Sequence, residues 1–302
     1  MGTYVYLATS ADPARRKYGI EKLSTLYQDF DDKTLVSKHW KVGLVFSSSL
    51  YEVDGIRTML KERITEEVLG KVLSEYEATH RRLAIGATDM ATGMFDIIDL
   101  TQYIARNKSN LGNPSVQLCY QEAIRASAAI PIAFPPVPII EQVENKAAEP
   151  KVYVDGGARH MMFINAAQLK RLAGGRKLRM YGVVNNTFVL SGMKREVTLL
   201  EAAGQNLKIA TDQLYMDSAY SVDSAAADLA TGNDAEGSVE RFWAAMLGNE
   251  SAAKCTERLG DNLFKPAYQQ CLYDVGLKAS KEQISVGRTG WRKNPWPVYI
   301  FQ

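Results

Sequence analysis

The sequence predicts an α/β fold with a mainly parallel sheet and a helical C-terminal part. Three observations lead there. Short apolar runs alternate with segments whose apolar residues recur at three and four, the strand–helix alternation of α/β proteins. Turn and breaker residues stand at the ends of these segments. Hydrophobic residues make up 46% and charged residues 23%, so a chain of 302 residues can bury a core without staples.

The elements follow in order. Residues 4–8 are apolar and give way to Ser10-Ala11-Asp12-Pro13, a helix start with proline near the first helical position. Residues 17–30 read as helix, and 41–46 form a short apolar run before Ser47, Ser48 and Ser49. Asp54 opens one long helical pattern to about His80, with Ile56, Met59, Leu60, Ile64, Val68, Leu69, Val72 and Leu73 on a single face. Residues 82–88 and 94–100 are strands, and the 89–93 turn with its glycine suits a hairpin.

Residues 115–129 are helical and run into Pro131, Pro135, Pro136 and Pro138, which predict an extended, rigid segment. Residues 151–154 form a strand that stops at Asp155-Gly156-Gly157. A helix follows to Ala173, closed by Gly174-Gly175. Residues 178–185 are a further strand, the chain beyond Arg195 reads mainly helical to about Lys278, and 298–301 is the last strand candidate. The expected organisation is one domain in two parts, 1–195 and 196–302.

Composition excludes several classes. A net charge of +2 gives no case for a nucleic-acid partner, which needs a basic excess. Cys119, Cys255 and Cys271 are odd in number and contain no C-x-x-C, so the pattern suggests neither a zinc site nor a disulfide framework, and a reducing compartment is mildly preferred. No apolar run reaches the ~18 residues of a membrane helix, and no targeting segment is recognisable, so the location expected of the chain as written is cytoplasmic. No two glycines are four apart, which rules out G-x-S-x-G, and none are two apart, which rules out G-x-G-x-x-G. The one pair five apart, Gly232 and Gly237, is followed by Ser238, so there is no P-loop.

The stretch from 122 to 165 carries the chemistry. Asp155 stands at the carboxyl end of a strand, where ligands of open α/β sheets bind. Gly156 and Gly157 let backbone or substrate approach with no Cβ in the way. A carboxylate held there can act as general base toward a hydroxyl. The competing reading is a plain turn with Asp155 capping the next helix, and the local sequence leaves both open.

The wider order, EAIRASAAIPIAFPPV followed by YVDGG, with LAIGATDMATGMFDIIDL upstream as a hairpin, resembles the patatin-like phospholipase family over roughly residues 40–190. That resemblance implies a three-layer α/β/α lipid acyl hydrolase that works with a Ser–Asp dyad. Asp155 matches the dyad aspartate, and Gly156 and Gly157 complete its motif. It implies a lipid or fatty-acyl ester substrate, a peripheral membrane contact, and no cofactor or metal. The family's Gly-rich oxyanion loop and its G-x-S-x-G are not in this sequence. The chain is therefore expected to lack the first strands and the nucleophile elbow, as an N-terminally truncated and inactive form. The alternative is a pseudoenzyme that binds a lipid or protein partner.

Other candidates carry less. Ser47, Ser48 and Ser49 have no flanking glycine to form an elbow. His160 is expected on the surface of the following helix, and Lys170, Arg171, Arg176, Lys177 and Arg179 as a solvated helix end in preference to a site for anionic head groups. Met161, Met162 and Phe163 suit a core or an acyl groove equally.

Overall fold

The computed structural model describes residues 1–28, 37–38, 49, 51–140, 142–143, 146–147, 150–161, 178–184, 239–245, 255 and 266–285, with scattered residues between 202 and 224. The chain divides into two compact units, Met1–Arg159 with Phe264–Gln269, and His160–Leu263 with Gln270–Gln302.

In the first unit, helices α1 (Gly2–Ala8) and α2 (Pro13–Gln28) meet at the Ser10–Asp12 turn. Asp12 Oδ1 accepts the Arg15 N–H at 2.8 Å, which caps α2 as the sequence predicts. Strands β1 (Ser37–Lys38) and β2 (Tyr51–Glu52) form a short antiparallel pair. The long helix expected from Asp54 is two helices, α3 (Asp54–Arg63) and α4 (Glu66–Thr79). Ile64 and Thr65 leave helical geometry between them. The signal is Thr65-Glu66-Glu67: Thr65 takes the N-cap position in extended conformation, and two acids meet the positive end of the new helix. The apolar face survives the break, because Leu60, Ile64, Val68 and Leu69 all enter the main core.

Glu75 of α4 is fully buried beneath the α1–α2 turn. Its carboxylate accepts hydrogen bonds from Ser10 Oγ, from Arg15 Nε at 3.1 Å and from Arg81 Nη1 at 2.8 Å. Arg81 also donates to the Thr9 hydroxyl and carbonyl oxygens, so the cluster ties α1 to α4.

The main sheet contains β3 (Ala84–Asp89), β4 (Phe95–Asp99), β5 (Val137–Ile139) and β8 (Lys151–Asp155), in the order β4-β3-β8-β5. The hairpin is as expected, with Ala84 opposite Asp99 and Thr88 opposite Phe95. Its turn is held by Asp89, which accepts the Ala91 N–H at 3.0 Å and the Thr92 hydroxyl at 2.8 Å, and by Gly93 at φ 68°. The mainly parallel sheet is not what these strands make: all three pairings are antiparallel. Here β3 is followed directly by its hairpin partner, and the β5–β8 connection, residues 140–150, is shorter than a parallel crossover needs; its described residues include the minor strands β6 (Gln142–Val143) and β7 (Lys146–Ala147).

Helices α5 (Leu100–Arg106) and α6 (Pro114–Ala126) cover one face of this sheet. Asp99 caps α5 through the Gln102 N–H, and Asn113 caps α6 through the Ser115 N–H with Pro114 at its first turn. Leu100, Ile104, Tyr120 and Ala123 meet Ile85 and Ile98 from the sheet, which is the period-2 inward face of β3 and β4.

In the second unit, β9 (Leu178–Val184) pairs in parallel with β10 (Val239–Ala245). The described residues between 202 and 224 are helical, and α7 spans Pro266–Ser285, of which the residues from Gln270 on belong to this unit. The helical reading of the C-terminal part is thus corrected at β10, whose VERFWAA suits a strand as well as a helix on periodicity alone. Cys255 and Cys271 form a disulfide, which corrects the expectation that the cysteine pattern suggests none and removes the ground for preferring a reducing compartment. The last strand candidate, 298–301, lies outside the described residues. No described helix is long and apolar enough to cross a membrane.

Candidate active site

The site is built at the C-terminal end of β8. Asp155 lies opposite Ala87 of β3, and its backbone N–H donates to the Ala129 carbonyl at 2.9 Å. The last strand residue is thus fixed from both sides, by the sheet and by the segment that leaves α6. That approach needs small side chains. Ala87, Ala126 and Ala129 pack with Val137 and Tyr153 in one buried cluster, which gives the Ala-Ser-Ala-Ala run a steric purpose.

After Asp155 the chain turns through a single 3-10 turn, Gly156–Ala158, rather than entering the expected helix at once. Residues 162–173 of that helix lie outside the described residues. Gly156 is required sterically: a Cβ there would stand 2.6 Å from the Gly86 carbonyl oxygen and 3.0 Å from the Phe95 ring. The close approach expected of the glycine pair is therefore one backbone against another, β8's turn against β3.

Asp155 Oδ1 accepts the Gly157 N–H at 2.6 Å. This bond is the cap that the turn reading expects, and it fixes the carboxylate while using one oxygen. The other oxygen accepts no hydrogen bond among the described residues. Burial pushes the Asp155 carboxyl above its usual range, and the Gly157 N–H only partly opposes that. A carboxylate so placed is more basic than one in water, which is what a general base toward a hydroxyl requires.

Asp96 was missed by the sequence reading. It lies in register with Ala87, as Asp155 does, so two carboxylates flank one alanine across three strands on a single sheet face. Tyr153 donates its hydroxyl to Asp96 Oδ2 at 2.7 Å, and Lys151 Nζ stands 3.2 Å from the same oxygen. The signal was present in the alternation of Lys151, Tyr153 and Asp155, but nothing in it names Asp96 as the cross-sheet partner.

Ser49 is buried and donates to the Tyr51 carbonyl at 3.0 Å, while Ser47 and Ser48 lie outside the described residues. His160 is exposed just past the 3-10 turn and is not helical. Met161 donates its N–H to Ser218 Oγ at 3.2 Å, and Met162 and Phe163 are outside the described residues. Of the basic cluster only Arg179 is described, within β9. No described group of three His, Cys, Asp or Glu side chains is placed to hold a metal ion.

The sheet, its helical cover and the Asp-Gly-Gly turn define an α/β domain with a carboxylate at a strand end. The family model for Patatin-like phospholipase matches residues 16–167, half of the chain. The chain belongs to the patatin-like phospholipase family. Membership makes lipids the expected substrate class. No curated protein matches the chain.

Proposed function

We propose that the chain carries the aspartate half of a serine–aspartate lipid acyl hydrolase. Asp155 is the base: its carboxylate takes the proton of a serine hydroxyl as the oxygen attacks a fatty-acyl ester carbonyl. The alcohol leaves with a proton, and water then hydrolyses the acyl-enzyme. The observation that carries this reading is the fixed, half-buried carboxylate at the end of β8, one of whose oxygens accepts no hydrogen bond among the described residues. No cofactor enters the proposal.

These 302 residues hold no G-x-S-x-G, so the chain by itself is expected to be silent in acyl ester hydrolysis. The test has two parts. The chain alone should neither hydrolyse a p-nitrophenyl acyl ester nor react with a fluorophosphonate probe. Material purified from the natural source should do both if a serine-bearing polypeptide completes the site, and Asp155→Asn should then lower turnover by about 10⁴-fold. Hydrolysis that survives Asp155→Asn would overturn the dyad.

The absent motif favours a second reading, a non-catalytic protein that binds a lipid or protein partner. Native material of 33.5 kDa that hydrolyses nothing yet melts cooperatively without aggregation would select it.

A further inference from the structure

The segment that leaves α6 was expected to be extended throughout. Residues 131–134 instead form a turn, closed by the Phe134 N–H on the Ile130 carbonyl at 2.9 Å. Ile132 within it has φ 71°. That left-handed conformation is costly for a β-branched residue, and such strain persists only where surrounding contacts hold it. The holding contacts are present. The Tyr51 N–H donates to the Ala133 carbonyl at 3.1 Å, and Phe134 packs against the Tyr51 ring with centroids 6.1 Å apart.

The braced turn buries neither isoleucine. Ile130 is 48% exposed and Ile132 60% exposed. From residue 126 to residue 140 the sequence has no charge. The turn is joined to the candidate site through Ala129, the residue before Ile130, whose carbonyl receives the Asp155 N–H. On the other side of Asp155, Arg159 is exposed at the end of the 3-10 turn and makes no side-chain hydrogen bond or ion pair among the described residues. Two outward isoleucines and an uncommitted cation thus flank the same aspartate.

We infer that the Ile130–Phe134 turn and Arg159 form a contact surface for an anionic phospholipid bilayer, with Ile130 and Ile132 entering the acyl boundary and Arg159 meeting the headgroup phosphates. The apolar pair supplies burial that a free headgroup could not offer, and the arginine supplies charge complementarity that a neutral fat droplet could not use. The inference rests on the lipid reading of the site, but it concerns docking and not turnover.

The experiment is vesicle sedimentation of the 302-residue protein with phosphatidylcholine alone and with an equal mixture of phosphatidylcholine and phosphatidylglycerol. The protein should partition into the mixed vesicles, and less into the neutral ones. Ile132→Asn should weaken partitioning by about tenfold, since asparagine removes the apolar side chain while accepting the left-handed backbone. Its thermal midpoint should be at or above that of the parent, and Ile130→Ser gives an independent reading of the same surface. Arg159→Gln should cost about fivefold on the anionic vesicles and nothing on the neutral ones.

Failure to partition into either vesicle, or Ile132→Asn and Ile130→Ser behaving as the parent, would overturn the inference. So would a dimer in gel filtration that Ile132→Asn dissolves, which would assign the turn to a second copy of the chain. Sedimentation needs no hydrolysis. A silent chain that still partitions therefore separates failure of the hydrolase reading from failure of this one.

Discussion

A fully buried and a half-buried carboxylate in the first unit are treated in opposite ways. Glu75 loses its water beneath the α1–α2 turn, and that desolvation by itself would raise its pKa. Hydrogen bonds from Ser10, Arg81 and Arg15 outweigh it, and the carboxyl is held below its usual range. Asp155 is also desolvated but receives a single backbone N–H, and its carboxyl is held above its usual range. Full compensation makes Glu75 a tie between helices. Incomplete compensation leaves Asp155 with basicity to use, which is the arrangement expected where a carboxylate does chemistry rather than bracing.

The contrast can be broken from the Glu75 side first. Arg81→Met removes one of its two cations and should cost about 3 kcal/mol in urea unfolding, the lower end for a broken buried pair because Arg15 remains. A cost under about 1 kcal/mol would mean that the cluster is solvated and that the comparison fails.

Next is Gly156→Ala, which sets a Cβ against the Gly86 carbonyl. Strand β8 and its turn must shift, at about 2 kcal/mol. The same variant should disturb the Asp155–Gly157 hydrogen bond, so any Asp155-dependent activity should fall with it. An unchanged melting midpoint would show that the turn gives way freely.

The pH dependence follows from the two directions. Glu75's folded pKa lies below its unfolded value, so its contribution is present above about 4.5 and is lost as pH falls through the folded value. The parent should therefore lose stability between pH 5 and pH 3 more steeply than Glu75→Gln, as read by urea midpoints at each pH (~5 and ~3). Asp155 has the opposite sign. Its folded pKa lies above its unfolded value, so its contribution is present below about 3.8 and is lost as pH rises through the folded value.

Asp155→Asn is accordingly the smallest effect and the sharpest. It should stabilise the protein at neutral pH by less than about 1 kcal/mol and give no gain near pH 3, where the parent carboxyl is already neutral. A destabilised Asp155→Asn at neutral pH would show that the charge is structural, and the distinction from Glu75 would collapse.

The comparison also marks what a single sequence can reveal. Asp155-Gly156-Gly157 was legible because its constraints are local: a strand end, an acceptor side chain and a position where a Cβ has no room. The β3–β4 hairpin was legible for the same reason, through Asp89 and Gly93. The Glu75 cluster was not, because Ser10, Arg15 and Arg81 reach it from other elements and nothing in 66–79 distinguishes a buried glutamate from a solvated one. Sheet direction failed likewise. Pairing between β3 and β8 joins residues far apart in sequence, Ala87 with Asp155 for one, and alternation of strands with helices does not fix which way they run. The break at Thr65 was a local signal outweighed by an apolar period that continued through it.

The Cys255–Cys271 bond has a topological consequence. The two sulfurs close a covalent ring over 16 positions of sequence. A protease that cuts once between residues 256 and 270 opens that ring without separating the two ends. The nicked protein would keep its full mass on a non-reducing gel and would fall into two fragments once the bond is reduced.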